Sequence, residues 1–211
     1  MSGGISGTSA PLSTSNSKFL NLSSNIDRSR NCNATGVYSG VVQSGNGNTN
    51  DLSNINATFL RGVQPASTDG VASFKTIFPG HYSGRATHHH MIVYQNATYN
   101  ANGTLSVGTY SHVGQLFWDQ EIISKVEATY PYNTNNVTIT TNAEDRVLAT
   151  ETTNTTSDPV FEYTYLGESL EEGLFGWVTV GVNTSASLDP MYSFALTEDG
   201  GVEQSGGNFK H

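Results

Sequence analysis

The chain is 211 residues long, a length that fits one domain with a substantial hydrophobic core. Charged residues make up only 13% of it, and the net charge is −9 without any cluster of Lys and Arg. These values argue against nucleic acid and anionic membranes as partners. No apolar run approaches the roughly 18 residues that a membrane-spanning helix needs.

The first thirty residues differ in composition from the rest. Residues 1–30 are rich in Gly, Ser, Thr and Asn, and this composition predicts a disordered tail. Residues 27–30, Asp-Arg-Ser-Arg, offer no apolar face that a strand could bury. Residues 1–12 lack a basic start and an apolar stretch, so no signal peptide is expected there. We therefore predict a tail over residues 1–30 and one folded domain over residues 31–211.

The remainder of the chain has the pattern of an all-β domain. Short segments rich in β-branched and aromatic residues alternate with Gly, Pro, Asn and Asp. The predicted strands are residues 71–78, 88–94, 136–141, 160–166 and 176–182, and Asp69-Gly70 predicts a hairpin-type turn before the first. Helices are predicted at residues 119–128, after a capping Asp, and at residues 142–150, with Asn142 as N-cap. The expected fold is a β-sandwich with two short helices.

Four of the six histidines lie between His81 and His90. In a strand, alternate side chains share a face, so His88 and His90 can bind one atom while His89 points to the opposite side. Two imidazoles at this spacing can form part of a metal site. Taken alone, the same run could also be a group of buried histidines or a surface patch. No Asp or Glu lies near the pair in sequence, which argues against a ferrous site of two His and one carboxylate.

The residues around the histidines resemble the signature of the intradiol ring-cleavage dioxygenases. The matching residues are Asp69, Gly70, Phe74, Thr76, Ile77, Pro79, Gly80, Tyr82, Arg85, His88 and His90. Residues 32–40 are similar to the segment that holds the first tyrosine ligand of that family, and residues 115–117, Gln-Leu-Phe, resemble a further family segment. Residues 59–64 and 142–145 are most similar to the secreted fungal branch. The segment before residue 31 suggests an N-terminally truncated or atypical member.

The resemblance implies a non-haem Fe(III) cofactor and a set of four metal ligands. These ligands are Tyr38, Tyr82, His88 and His90. Phenolate is a hard anionic donor, which a trivalent ion holds deprotonated despite the usual tyrosine pKa near 10. Two phenolates and a hydroxide would also balance the charge of the ferric ion.

The resemblance also implies a reaction and three candidate catalytic residues. The substrates would be a catecholic compound and O2, and the product would be a muconate-type diacid. Tyr82 would leave the metal and accept a substrate proton. Arg85 would stabilise charge that develops on the ring, with Gln115 assisting as a hydrogen-bond partner.

Other interpretations of these residues stay open. Arg85 could form a structural ion pair, and Gln115 could serve as an ordinary strand or turn amide. The whole chain could be a catalytically silent secreted β-sandwich that binds a partner. It could also be another metal enzyme with two histidine ligands, such as a ferrous or zinc β-barrel protein.

Two features of the sequence concern the compartment. Asn-x-Ser/Thr sequons occur at Asn21, Asn33, Asn56, Asn96, Asn102, Asn136, Asn154 and Asn183. Together with the family resemblance they predict an extracellular glycoprotein, although residues 1–12 contain no signal peptide. The single cysteine, Cys32, excludes an internal disulfide.

Overall fold

The structure is a computed structural model that describes residues 18–24, 38–39, 47–48, 61–99, 105–106, 108–188, 194–197 and 200–203. Side chains are described for residues 62–98 and 108–188. Within these ranges strands outnumber helices, and the predicted all-β class is confirmed. In the same ranges no helix is long and apolar enough to cross a membrane.

The largest sheet in the described part of the chain has four antiparallel strands, β1 (Lys18–Ser24), β4 (Arg61–Pro65), β5 (His88–Gln95) and β8 (Thr109–Phe117). Their order in the sheet is β4-β1-β5-β8. In the register between β5 and β8, His88 lies opposite Phe117 and His90 lies opposite Gln115. Directly opposed residues of antiparallel strands share a face, so Gln115 stands beside His90.

Strand β1 corrects the predicted boundary between tail and domain. Lys18–Ser24 pairs with β4 on one side and with β5 on the other, so it is an interior strand of the sheet. Leu20 and Leu22 provide a short period-two pattern that the surrounding Ser and Asn concealed, and two neighbouring strands can satisfy the backbone groups. The tail prediction is wrong for residues 18–24. Residues 1–17 and 25–30 lie outside the described residues.

The other described strands form short two-stranded pairs. They are β2 (Tyr38–Ser39) with β3 (Gly47–Asn48), β6 (Thr98–Tyr99) with β7 (Leu105–Ser106), β9 (Glu162–Tyr165) with β10 (Leu174–Trp177), and β11 (Phe194–Thr197) with β12 (Gly200–Glu203). The first pair is parallel and the other three are antiparallel.

The predicted strands are confirmed in part. Residues 88–94 fall within β5, and residues 160–166 contain β9. The segment 176–182 overlaps only the end of β10, and residues 71–78 and 136–141 form no strand. Propensity favours extended backbone, but a strand also needs a neighbour to pair with, and these segments pair with no strand among the described residues. The turn at Asp69-Gly70 is present, but it does not lead into a strand.

The first predicted helix is confirmed and the second is divided. Helix α1 (Gln120–Glu127) begins after Asp119, whose carboxylate accepts from the Ile122 amide at 2.9 Å. Residues 142–150 instead form a 3-10 turn, Asn142–Glu144, followed by helix α2 (Arg146–Glu151). Asp145 caps α2, so the prediction of Asn142 as N-cap is wrong. Further 3-10 turns lie at Tyr132–Thr134 and Leu170–Glu172.

An aromatic core lies where α1 meets the end of β8. Trp118 is buried with Ile122, Ile123 and Val126, and its ring stacks on Phe161 with centroids 4.6 Å apart. This core covers the sheet face that carries His89, because the Trp118 indole N–H donates to His89 Nε2 at 3.1 Å. The opposite face of β5 therefore remains for His88 and His90.

We expect β1 to be essential for stability. Deleting residues 1–24 removes an interior strand and separates β4 from β5, so the melting temperature should fall by more than about 10 °C. Deleting only residues 1–17, whose composition predicts a tail, should change it by no more than about 2 °C. Circular dichroism melts of the two shortened chains measure the difference, and equal melting temperatures would contradict the position of β1.

Candidate active site

A two-residue turn brings Tyr82 and Arg85 together. The two residues form an isolated antiparallel bridge, and the Arg85 amide donates to the Tyr82 carbonyl at 3.4 Å. Gly84 in the turn has a φ of 77°, which residues with a side chain rarely adopt. Opposed residues of such a bridge project to one face, so the turn presents the phenol and the guanidinium side by side. The Tyr82 side chain is buried.

His81 anchors the chain just before this turn. Its Nε2 donates to the Val137 carbonyl at 2.8 Å, and its Nδ1 lies 2.8 Å from Glu127 Oε1 on α1. The Asn135 side-chain amide donates to the His81 carbonyl at 3.1 Å. His81 is thus directed away from the other histidines of the segment. Its contacts fix the backbone directly before Tyr82 and so help to position the Tyr82 side chain.

Tyr82, His88 and His90 form a continuous group of rings. The centroids of His88 and His90 are 4.9 Å apart, and those of Tyr82 and His88 are 5.8 Å apart. His88 is fully buried and its Nδ1 donates to the Ala86 carbonyl at 2.6 Å, while His90 is exposed at the surface. Because a carbonyl only accepts, Nδ1 carries the proton, and Nε2 bears the lone pair of the neutral ring. Histidines that bind metals commonly make such a bond through the other ring nitrogen.

His89 points to the opposite side of β5, as the alternation predicts. It is buried between aromatic rings, with its centroid 5.6 Å from that of Phe161, and accepts from the Trp118 indole. Burial, and to a smaller degree the neighbouring His90, lower the pKa of the His89 imidazole to about 3. His89 is therefore a neutral core residue near pH 7.

Arg85 and Gln115 meet beside the rings. One terminal guanidinium nitrogen of Arg85 donates to Gln115 Oε1, and Arg85 Nε donates to Asp145 Oδ2 at 2.9 Å. The structural ion pair considered for Arg85 is therefore present, with Asp145 as its partner. The same contacts hold the guanidinium at the face of the sheet where Gln115 and His90 lie.

Asp145 is the residue of this region that the sequence analysis missed. Its side chain is fully buried, and Oδ2 also accepts from the Ala86 amide at 2.6 Å. Burial acts to raise the pKa of Asp145, but hydrogen bonds from the Leu148 and Ala86 amides and the Arg85 guanidinium outweigh it and lower the pKa. The available signal was an Asp directly before Arg-Val-Leu-Ala, which is a pattern for a helix N-cap.

Tyr38, the fourth predicted ligand, lies in β2, where it pairs with Gly47 of β3. Its side chain belongs to the part of the chain that is not described, and its role as a ligand stays a prediction. Among the described residues no group of three or more His, Cys, Asp and Glu could hold a metal. The donors gathered here are one phenol and two imidazoles, which suit a metal ion that accepts hard oxygen and nitrogen ligands.

A cavity of about 190 Å³ runs along the outer edge of β8. Its lining includes Gln115, Leu116, Asp158, Val180 and the Glu151 carboxyl at the end of α2. Burial raises the pKa of Glu151 to about 7, although the Gln115 backbone amide and the Arg85 charge act to lower it. Glu151 and Gln115 thus line the same cavity.

Two solved structures resemble the chain over most of its length. An intradiol ring-cleavage dioxygenase from Tetranychus urticae has a TM-score of 0.56 and 22% identity, over 82% of this chain and 74% of that one. The crystal structure of another dioxygenase has a TM-score of 0.57 and 23% identity, over the same shares of 82% and 74%. The chain has the intradiol dioxygenase fold.

The comparison confirms the predicted β-sandwich, because at these identities a resemblance shows the fold. The source named for the first structure is a mite, so the comparison does not support the secreted fungal branch. No protein-family model and no curated protein matches the chain.

Glu151 should make the stability depend on pH. The unfolded chain releases this proton near the ordinary pKa of 4.5, whereas the folded chain releases it near 7. The folded state therefore holds more protons between these values, and the contribution of Glu151 to stability is lost as the pH rises through them. Glu151→Gln should melt at a higher temperature than the unmodified chain at about pH 8 and lose that advantage towards about pH 5.

Glu121→Gln is the matched control, because the Glu121 side chain is 73% exposed and its ion pair with Lys125 lies on the surface. The melting-temperature difference between Glu121→Gln and the unmodified chain should change little with pH. The same melting-temperature difference for Glu151→Gln at both pH values would contradict the raised pKa.

Proposed function

We propose that the protein is a non-haem Fe(III)-dependent intradiol dioxygenase that cleaves a catecholic ring with O2 to a muconate-type diacid. The observation that carries the proposal is the arrangement of Tyr82, His88 and His90 in one group of rings beside the Arg85–Gln115 pair. The fold shared with intradiol ring-cleavage dioxygenases supports it. Each of these elements separately has ordinary structural explanations, whereas their combination in one site favours this chemistry.

The donor set fits ferric iron. Tyr82 would supply its phenolate oxygen, His88 its Nε2 and His90 an imidazole nitrogen, with Tyr38 as the fourth ligand. The hydrogen bond from His88 Nδ1 to Ala86 selects the tautomer that leaves Nε2 for the metal. Bound Fe(III) would draw electron density from a catecholate held through both oxygens and so make the ring reactive towards O2.

Tyr82 has a second role in the proposal. Its phenolate oxygen would accept the proton that the second catechol hydroxyl loses on binding. A bound metal ion makes a coordinated hydroxyl more acidic, so its proton can pass to a phenolate that has left the metal. The backbone bridge between Tyr82 and Arg85 fixes the main chain on both sides of the Ser83-Gly84 turn, so the departure of the phenolate from the metal would be a rotation of the Tyr82 side chain.

Arg85 would stabilise negative charge on the substrate ring. Its planar cation is held at Nε by Asp145 and at a terminal nitrogen by Gln115, so it needs little reorganisation during the reaction. The Gln115 amide N–H groups remain as donors, because the contact with Arg85 uses the amide oxygen. Arg85 thus forms the structural ion pair with Asp145, and the same contacts support the proposed catalytic role.

We also propose that the protein is extracellular and carries N-linked glycans. The sequon asparagines whose side chains are described, Asn96, Asn136, Asn154 and Asn183, are all exposed. Expression through a eukaryotic secretory route should give protein whose mass falls after treatment with an N-glycosidase. An unchanged mass would contradict glycosylation.

Removing a proposed ligand should remove iron. His88→Ala and Tyr82→Phe should each weaken Fe(III) binding by at least about 10-fold, whereas the intact chain holds about one iron. His89→Gln is the control on the same strand, because Gln can still accept from the Trp118 indole. Metal analysis after dialysis measures the effect. Zinc in place of iron, or equal losses from His88→Ala and His89→Gln, would contradict the site.

Catechol and O2 should give ring cleavage between the two hydroxyl-bearing carbons. Oxygen uptake and the ultraviolet absorption of a muconate measure the reaction together. Arg85→Ala should lower kcat by roughly 10- to 100-fold with unchanged iron content, whereas the exposed Arg146→Ala should not. A yellow semialdehyde would indicate extradiol cleavage. Iron-loaded protein without oxygen uptake would favour the silent binding module.

A further inference from the structure

We propose that Asp145 is a positioning residue, which orients the Arg85 guanidinium towards the bound substrate through a single carboxylate oxygen. This inference rests on the proposed dioxygenase function. Asp145 lies 60 residues from Arg85 in sequence, and the two meet through the Nε to Oδ2 hydrogen bond of 2.9 Å. The side chain of Asp145 has no exposed surface, so it acts on the substrate only through Arg85.

The two oxygens of Asp145 serve different parts of the fold. Oδ1 accepts from the Val147 and Leu148 amides at 2.8 and 3.0 Å and so caps α2. Oδ2 accepts from Arg85 Nε and from the Ala86 amide, which adjoins Arg85 in the chain. The carboxylate is therefore held from both sides. Because the Asp145 carboxylate accepts four hydrogen bonds, it has little freedom to rotate. A fixed carboxylate can in turn hold the long Arg85 side chain in one orientation.

Helix α2 lies beside both members of the Arg85–Gln115 pair. Asp145 at its start binds Arg85, and Glu151 at its end lines the same cavity as Gln115. The pair itself is joined by the bond between the guanidinium and Gln115 Oε1. The six-residue helix α2 thus begins at the anchor of Arg85 and ends at the cavity that Gln115 also lines.

The variant Asp145→Asn tests the orientation of the Arg85 guanidinium separately from the capping of α2. Asp145→Asn keeps an oxygen that can cap α2, but it replaces the other oxygen by an NH2 that faces two donors, Arg85 Nε and the Ala86 amide. Arg85→Lys keeps the positive charge and loses the Nε donor. Glu144→Gln is the control, because Glu144 is the exposed neighbour and its carboxylate accepts from Thr141.

The experiment compares the iron-loaded intact chain with Asp145→Asn, Arg85→Lys, the double variant and Glu144→Gln. We expect Asp145→Asn to lower kcat per bound iron by roughly 10- to 100-fold, with KM for catechol changed by less than about 3-fold. The double variant should be no slower than the slower single variant, because both changes break one contact. Glu144→Gln should match the unmodified chain.

Melting temperatures of the metal-free proteins give a readout independent of turnover. The loss in the double variant should be smaller than the sum of the single losses by at least about 2 °C. If Asp145→Asn does not fold, Asp145→Ser, which also caps helices, replaces it in both measurements. Turnover losses that multiply, melting losses that add, or iron lost in proportion to activity would each overturn the positioning role.

Iron binding and catechol cleavage by the unmodified chain show whether the proposed function or only the role of Asp145 is wrong. If it holds no iron or cleaves no catechol, the proposed dioxygenase function is wrong, and the role of Asp145 falls with it. If it is active and the effects of Asp145→Asn and Arg85→Lys are independent, only the positioning role is wrong.

Discussion

The alternation of side chains along β5 is the constraint on which the site depends. His88 and His90 occupy one face, while His89 is buried on the other against Trp118 and Phe161. A shift of one residue in the pairing with β8 would move His88 and His90 into the aromatic core and His89 out of it. The hydrogen bond from the Trp118 indole to His89 is made only in the observed register. The core therefore fixes the face that the site uses.

Two kinds of buried polar group surround the site, and they are stabilised in different ways. His89 is kept neutral by burial, which lowers the pKa of its imidazole to about 3. Asp145 is kept ionised despite its burial, because amide donors and Arg85 bind its oxygens. A buried carboxylate with such partners is tolerated, whereas an unpaired one would be strongly destabilising. The position of the Arg85 guanidinium thus depends on the buried Asp145 carboxylate to which it donates.

The sequence was sufficient for local features and failed for features that need a distant partner. His88–Gln95 and the helix after Asp119 follow from alternation and capping, which act over a few residues. Strand β1 was missed because its Ser- and Asn-rich sequence becomes a strand only between β4 and β5. Asp145 was missed as a partner of Arg85 because a separation of 60 residues leaves no local signal. Residues 71–78 show the reverse error, since their strand propensity is not matched by a pairing strand in the described part of the chain.

The visible absorption spectrum of the Fe(III)-loaded protein tests the central claim most directly. Tyrosinate bound to ferric iron absorbs visible light by charge transfer from the phenolate to the metal, so the protein should be wine-red. Tyr82→Phe should remove much of this absorption, and His89→Gln, on the other face of β5, should leave it intact. A protein that binds iron without a visible band, or a band that Tyr82→Phe does not change, would contradict the proposed ferric site.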